Sequence, residues 1–231
     1  MTAPTATSRR VGALLVTSNG FVDAYTYLAH GGVFANAQTG NVILFGVGLA
    51  RPHEVNALTH LWPVIAFVIG VVVARVFRSE AAAHRLRYPL RYVLGLQIVV
   101  LVAVGLMPAS APEPSITTSI GFVAALQFSL FRTVRSATVV PIAMTGNLMR
   151  TTDSVLTALR GRRREDVALA VMYVSLVLGF AAGAVAGALI TALVGTRAVW
   201  IPAGMILVAL VLFFVDEARP APAPAPPGEV A

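Results

Sequence analysis

The stretch that decides the fold runs from Gly20 to Asn41 and reads GFVDAYTYLAHGGVFANAQTGN. It lies inside a long apolar region, yet it contains an acid, Asp23, two adjacent glycines and a cluster of amides and hydroxyls. A carboxylate near the centre of a membrane helix costs about 3 kcal/mol on insertion-based scales, so its presence there requires a structural or functional reason. A second TGN sequence, Thr145–Asn147, recurs in the second half of the chain. We therefore interpret the two TGN segments as matching halves of one polar site in a membrane.

The composition indicates an integral helical membrane protein. The chain is 57% hydrophobic and only 12% charged, whereas soluble domains carry about 25% charged residues. Several apolar runs without a charge reach about 18 residues, which is the length that spans the hydrocarbon core of a bilayer. There is no cysteine, which excludes disulfides and thiolate metal sites. The predicted fold class is an all-α, polytopic membrane protein.

The first apolar region, 11–50, is too long for a single span. As one helix it would measure roughly 60 Å, about twice the ~30 Å thickness of a bilayer core. Gly31 and Gly32 mark the expected break, because glycine weakens a helix and permits positive φ angles. We expect a first span at 11–30 and a broken or re-entrant segment at 33–50. The other predicted spans are 57–77, 92–107, 116–131, 167–194 and 198–215, with a short amphipathic helix at 148–159.

The charges predict the orientation of the chain. All 17 basic residues are arginines, and most of them lie in short loops beside apolar spans. With six spans and both termini in the cytoplasm, every arginine except Arg51 and Arg197 lies on the cytoplasmic side, as the positive-inside rule requires. Counting the TGN segments as full spans would give eight, and either orientation would then export a strongly basic loop. We expect a bacterial inner-membrane protein with a disordered N-terminus at 1–10, a membrane domain at 11–215 and a disordered Pro/Ala-rich tail at 216–231.

Several motifs occur twice in the same order, which predicts an internal repeat. The matching pairs are Thr39-Gly40-Asn41 with Thr145-Gly146-Asn147, Gly20-Phe21-Val22 with Gly121-Phe122-Val123, and Phe67-x-x-Gly70-x-x-x-Ala74 with Phe180-x-x-Gly183-x-x-x-Gly187. We assign repeat A to 11–107 and repeat B to 116–215, with three spans in each. Because three is odd, the second copy enters the membrane from the opposite face. Such inverted repeats place a site near the midplane, between the two halves.

Small residues indicate where helices approach each other closely. Gly179, Gly183 and Gly187 form two successive small-xxx-small steps, and Gly70 and Ala74 form one in the matching motif. We expect these two sets to bring spans 2 and 5 into contact within one chain. A homodimer seam is the alternative.

The candidate residues for a substrate or ion path are polar side chains in or beside the repeated motifs. Asp23 could bind a proton or a cation, or pair with a helix N-terminus, and Asn19 lies one turn earlier on the same helix face. The others are Thr39, Asn41, Gln127, Thr145 and Asn147. These threonines and asparagines could line a path, or could satisfy free backbone groups as caps of broken helices. Both interpretations stay open on sequence alone.

The same residues carry a resemblance to a known family. The motif from Gly20 to Ala24, the segment from Val33 to Asn41, and Gln127 together with Thr145-Gly146 resemble the YoaK-type family over roughly residues 11–215. This is a bacterial family of polytopic membrane proteins of unknown function. Phe128 follows Gln127 here, where the family commonly has an amide. The resemblance implies a bacterial inner-membrane protein and no established activity.

Motifs of enzymes are missing from the sequence. The four histidines are scattered, and neither a G-x-S-x-G elbow nor a P-loop is present. We therefore expect no enzyme activity, no cofactor, no metal site and no nucleic-acid partner. The favoured function is that of a transporter or channel, located in the lipid bilayer, that moves a small solute across it. The alternative is a non-transporting membrane scaffold or assembly factor, in which the polar residues only hold bent helices together.

Overall fold

The computed structural model describes residues 9–77, 89–108, 110–131, 133–134, 137–138, 144–161 and 163–217. In these ranges the chain is helical apart from loops and one antiparallel pair of two-residue strands. The helices are α1 (Arg9–Ala29), α2 (Gln38–Ala50), α3 (Ala57–Phe77), α4 (Pro89–Leu106), α5 (Glu113–Leu130), α6 (Met144–Gly161), α7 (Arg164–Val194) and α8 (Trp200–Glu217), and the strands are β1 (Thr133–Val134) and β2 (Ala137–Thr138). The all-α prediction is confirmed for the residues described.

The long apolar region 11–50 breaks at the two adjacent glycines. Gly31 and Gly32 have φ angles of 67° and 71°, a left-handed conformation that side chains with a Cβ rarely adopt. The segment expected at 33–50 to be broken or re-entrant is broken: residues 33–37 form an irregular loop, and the helix begins at Gln38.

The ends of the membrane domain extend slightly beyond the predicted bounds. Helix α1 begins at Arg9, and α8 continues to Glu217. The rest of the termini expected to be disordered, 1–8 and 218–231, lies outside the described residues.

Among the described residues, three helical stretches are long and apolar enough to cross a membrane: Ala57–Phe77, Pro89–Leu106 and Arg164–Val215. The last contains α7, a 3₁₀ turn at Gly195–Val199 and most of α8. Helices α1 and α5 carry more polar residues, and more than half of the residues of each are buried against other helices. A helix covered by protein in this way can hold polar side chains that lipid would not tolerate.

Two helix pairs form the closest contacts in the bundle. Helix α1 packs along α7, and α3 packs along α5. A Cβ atom at Gly183 would overlap the carbonyl oxygen of Thr17, and one at Gly70 would lie 2.6 Å from that of Phe122. The absence of side chains at these glycines therefore lets two helix backbones touch.

These contacts correct our expectation for the small residues. We expected the glycines of α7 to face those of α3, but each set instead faces the first helix of the other half of the chain, α1 or α5. The sequence motif identifies a helix face that is small enough for close contact, but it does not identify the helix that covers it.

The remaining pairs complete the arrangement around the site. Helix α2 packs on α3, and α6 packs on α7. Helix α4 contacts both α5 and α8, while α8 also contacts α1. The two helices whose first turns contain TGN, α2 and α6, thus each pack on the helix that follows them in the chain.

The close contact between α1 and α7 makes a testable prediction. Gly183→Ala adds a methyl group against the carbonyl of Thr17, so the two helices must separate, at a cost of about 1–3 kcal/mol. The matched control is Gly204→Ala in α8, where a Cβ would meet no atom within 4 Å. In detergent, Gly183→Ala should unfold at a clearly lower temperature than wild type and Gly204→Ala should not. Equal melting temperatures for all three proteins would contradict the contact.

Candidate functional site

The buried acid holds the loop between α1 and α2. Asp23 is buried, and its Oδ1 accepts a hydrogen bond of 2.7 Å from the backbone N–H of Asn36. The side-chain amide of Asn36 donates in turn to the carbonyl oxygen of Asn19, at 3.1 Å. Backbone groups that leave a helix inside a protein need such partners, because an unpaired buried N–H is costly. One function of Asp23 is therefore to fold this loop back against α1.

Each residue of the first TGN motif has a separate role. Asn41 is buried and grips the backbone of Phe34: its Oδ1 accepts from the N–H at 3.0 Å and its Nδ2 donates to the carbonyl at 2.6 Å. A Cβ at Gly40 would lie 2.7 Å from the ring of Phe34, so glycine is needed there. Thr39 lines a cavity. Asn41 thus satisfies backbone groups of the loop rather than capping α2, which has no side-chain cap hydrogen bond, while Thr39 lies at the cavity wall.

The second TGN motif occupies the corresponding place at the start of α6. Thr145 lines the same cavity as Thr39. Asn147 is fully buried, and its carbonyl oxygen accepts the hydroxyl of Thr151 at 2.7 Å. The residues that precede this helix, 139–143, lie outside the described part of the chain. Both motifs therefore lie in the first turn of a helix, and both place a threonine at one cavity.

The shared cavity has a volume of about 760 Å³ and lies between α1, α2, α3, α5, α6 and α7. This volume is within the range of about 300–1,000 Å³ that is common for small-molecule sites. Its polar lining residues are Asp23, Asn36, Gln38, Thr39 and Thr145.

Aromatic rings form much of the remaining wall. Tyr27 and Phe34 stack with their ring centroids 5.0 Å apart. The rings of Phe67 and Phe128 meet on another side, with centroids 5.9 Å apart, and Phe180 also lines the space. The cavity therefore combines one carboxylate with a largely aromatic and apolar surface.

Asp23 is the only charged residue among the described residues that line the cavity. Its second carboxylate oxygen, Oδ2, has no hydrogen-bond partner among the described residues, and neither does Oδ1 of Asn36. Both oxygens are buried atoms that belong to residues at the cavity wall.

The other candidates are buried without lining the cavity. Asn19 and Gln127 are almost completely buried, and both polar atoms of each side-chain amide have no partner in the described part of the chain. Asn41 and Asn147 are also buried. The structure therefore gathers Asp23, Thr39 and Thr145 at one cavity, and places the four amides away from its wall.

Sequence reasoning missed two kinds of site residue. Asn36 was not among the candidates, although an amide between Gly31-Gly32 and the TGN motif could have been recognised as a partner for irregular backbone. The aromatic wall, including Tyr27 and Phe128, gave no signal, because aromatic residues are common throughout membrane helices.

Comparisons with known proteins agree with the resemblance noted above. Residues 11–212 match the family described as "Protein of unknown function (DUF1275)". A segment of 69 residues is 33% identical to the UPF0700 transmembrane protein YoaK of Bacillus subtilis (strain 168). That match covers 30% of this chain and 31% of the relative. No solved structure matches the chain.

The family match covers most of the chain. The apolar helices and the transmembrane relative both indicate a membrane protein. The protein is therefore a membrane protein that belongs to the DUF1275 family, a YoaK-like family of unknown function.

Proposed function

We propose that this protein is a transporter or channel for a small solute and that the cavity beside Asp23 is its binding site. The observation that carries the proposal is the convergence of a buried acid and two helix starts on one cavity of about 760 Å³. Stable helix packing alone does not require a buried acid and two helix starts to meet at one open space of this size. A solute that passes through a membrane protein, in contrast, needs a polar site of this kind between helices.

We further propose that six spans form two inverted three-span repeats, with both termini in the cytoplasm of the bacterium. The helix contacts support this arrangement. Helix α1 packs on α7 as α3 packs on α5, α1 meets α8 as α5 meets α4, and α2 packs on α3 as α6 packs on α7. A two-fold relation between repeats A and B requires every contact to have such a counterpart.

In this architecture the cavity lies on the boundary between the repeats. Rocking of one repeat against the other would expose the cavity first to one side of the membrane and then to the other. The hydrogen bonds from Asp23 and Asn41 to the loop would keep Thr39 at the cavity wall during that motion.

The rival function is a scaffold that transports nothing. It is favoured by one observation: Asp23 and Asn41 both bond to the backbone of the broken segment, as a purely structural role would require. A scaffold function does not account for the unpartnered Oδ2 of Asp23 or for the cavity beside this residue. Flux measurements separate the two functions directly.

The transport proposal predicts a defect in Asp23→Asn. The amide keeps an oxygen that can accept from Asn36, so the loop should stay in place while the charge at the cavity is lost. Proteoliposomes would be tested for swelling in an ammonium salt, an amino acid, a sugar and a carboxylate, with internal pH recorded by a trapped dye. We expect wild type to admit at least one solute faster than protein-free liposomes, and Asp23→Asn to lose that flux.

The matched control is Asp153→Asn, which removes an exposed acid on α6 that does not line this cavity. It should transport like wild type. Undiminished flux through Asp23→Asn would remove the acid from the mechanism, and wild-type flux equal to that of empty liposomes would favour the scaffold.

The proposed orientation can be tested because the chain contains no cysteine. His53→Cys lies in the exposed loop between α2 and α3, and Gly161→Cys lies at the exposed end of α6. In intact cells a membrane-impermeant maleimide should label the cysteine at 53. The cysteine at 161 should react only after permeabilisation. The reverse pattern, or labelling of both in intact cells, would refute the topology.

A further inference from the structure

We propose that the solute bound in this cavity is an organic monocation with an apolar body, such as a protonated amine or a quaternary ammonium ion. This inference rests on the proposed function and names the chemical class of its ligand. It is carried by three features of the described cavity wall: a single carboxylate, five aromatic rings and the lack of a second acidic side chain that would favour a multivalent metal ion.

Asp23 is the one acidic residue on the described part of the wall, and its second oxygen is buried rather than open to solvent. Oδ1 of Asp23 is engaged by the N–H of Asn36, whereas Oδ2 has no partner among the described residues. The residues on the described part of the wall include no arginine or histidine that could neutralise it. A buried, unpaired charge is costly, and a cation within reach would remove much of that cost.

The aromatic wall suits a cation with an organic surface. Five rings line the cavity, and they come from α1, the following loop, α3, α5 and α7. The face of an aromatic ring attracts a cation that lies within about 6 Å of its centre, and the attraction increases when water is excluded. The same rings also offer apolar contact to the methylene or methyl groups of an amine.

A bare metal ion is less suited to this cavity. Hard cations such as Ca²⁺ or Mg²⁺ take about six or more oxygen ligands at close range. Gln38 is already occupied, since its Nε2 donates to the carbonyl of Ala35 and its Oε1 accepts from Asn41, both at 2.9 Å. Among the described residues the wall adds one carboxylate and otherwise neutral oxygens, which neutralise only half of the charge of a divalent ion.

An anion is disfavoured although two helices begin at the cavity. Helix N-termini carry partial positive charge, but in the first turn of α2 the N–H groups of Gln38 and Gly40 already donate to Asn36 and Ala37. The full charge of Asp23 lies on the same wall. The electrostatic preference of the site is therefore for a positive ligand.

The repeated motifs indicate a ligand with a single positive charge. Phe67 and Phe180 occupy matching positions, and the register of the Gly-Phe-Val motifs pairs Tyr27 with Phe128. In that same register Asp23 pairs with Ala124. Both halves thus contribute rings, and only one half contributes a charge.

The experiment compares three probes of similar shape with different charge. These are benzyltrimethylammonium, the anion phenylmethanesulfonate and the neutral phenylmethanesulfonamide. Binding of the radiolabelled cation to the full-length protein in detergent would be measured by equilibrium dialysis, with the other two probes as competitors. We expect saturable binding of the cation, and competition by the other two probes that is at least about tenfold weaker.

Two variants and one control connect this binding to the cavity. Asp23→Asn should weaken binding of the cation by about tenfold or more. Phe128→Leu removes one ring from the wall and should weaken it by roughly threefold. Phe45→Leu, in α2 but not at the cavity, should bind like wild type. Each variant is accepted only if its melting temperature matches that of wild type, and Phe128→Leu tests the site if Asp23→Asn does not fold.

The outcomes separate the ligand class from the transport function. Equal binding of all three probes, stronger binding of the sulfonate, or undiminished cation binding by both folded cavity variants would overturn the cationic ligand. Cation binding without any flux in proteoliposomes would keep the ligand class and remove transport. Flux of a neutral or anionic solute, with no cation binding, would keep the transport function and remove the cationic ligand.

Discussion

The structure depends on the hydrogen bond between the Asp23 carboxylate and the backbone N–H of Asn36. The chain must leave the helix after α1, and the irregular backbone that follows needs partners inside the protein. Asp23 supplies one, and Asn41 supplies two more by gripping the backbone of Phe34. Because these bonds fix the loop, α2 begins at Gln38, and Thr39 lies at the cavity wall.

The position of α1 itself depends on a different kind of contact. Glycines on α7 allow its backbone to touch that of α1, and a matching glycine on α3 does the same for α5. These contacts hold the polar faces of α1 and α5 within the bundle, where carboxylate, amide and hydroxyl groups are shielded from lipid. Asp23 then connects the loop and the cavity: its Oδ1 accepts from the loop backbone, and the residue itself lies at the cavity wall.

Much of this arrangement could be predicted from the sequence because its causes are local. The break follows from the positive φ angles that Gly31 and Gly32 permit, and Asp23, Thr39 and Thr145 stand out as polar residues in apolar surroundings. The partners of the α7 glycines could not be predicted, since a small-residue face can pack against any helix of the bundle. The aromatic wall could not be predicted for a related reason, since its five rings come from segments that are distant in sequence.

The two TGN helix starts share one cavity with Asp23, and cross-linking tests this arrangement most directly. Thr39→Cys and Thr145→Cys would be combined in the otherwise cysteine-free chain and treated with a short bismaleimide in membranes. We predict a cross-link within single chains. A control pair, Thr39→Cys with Gly161→Cys, should not link, because 161 is roughly 24 Å from 145 along α6. Failure of the 39–145 pair to link, although each cysteine reacts with a simple maleimide, would contradict the account.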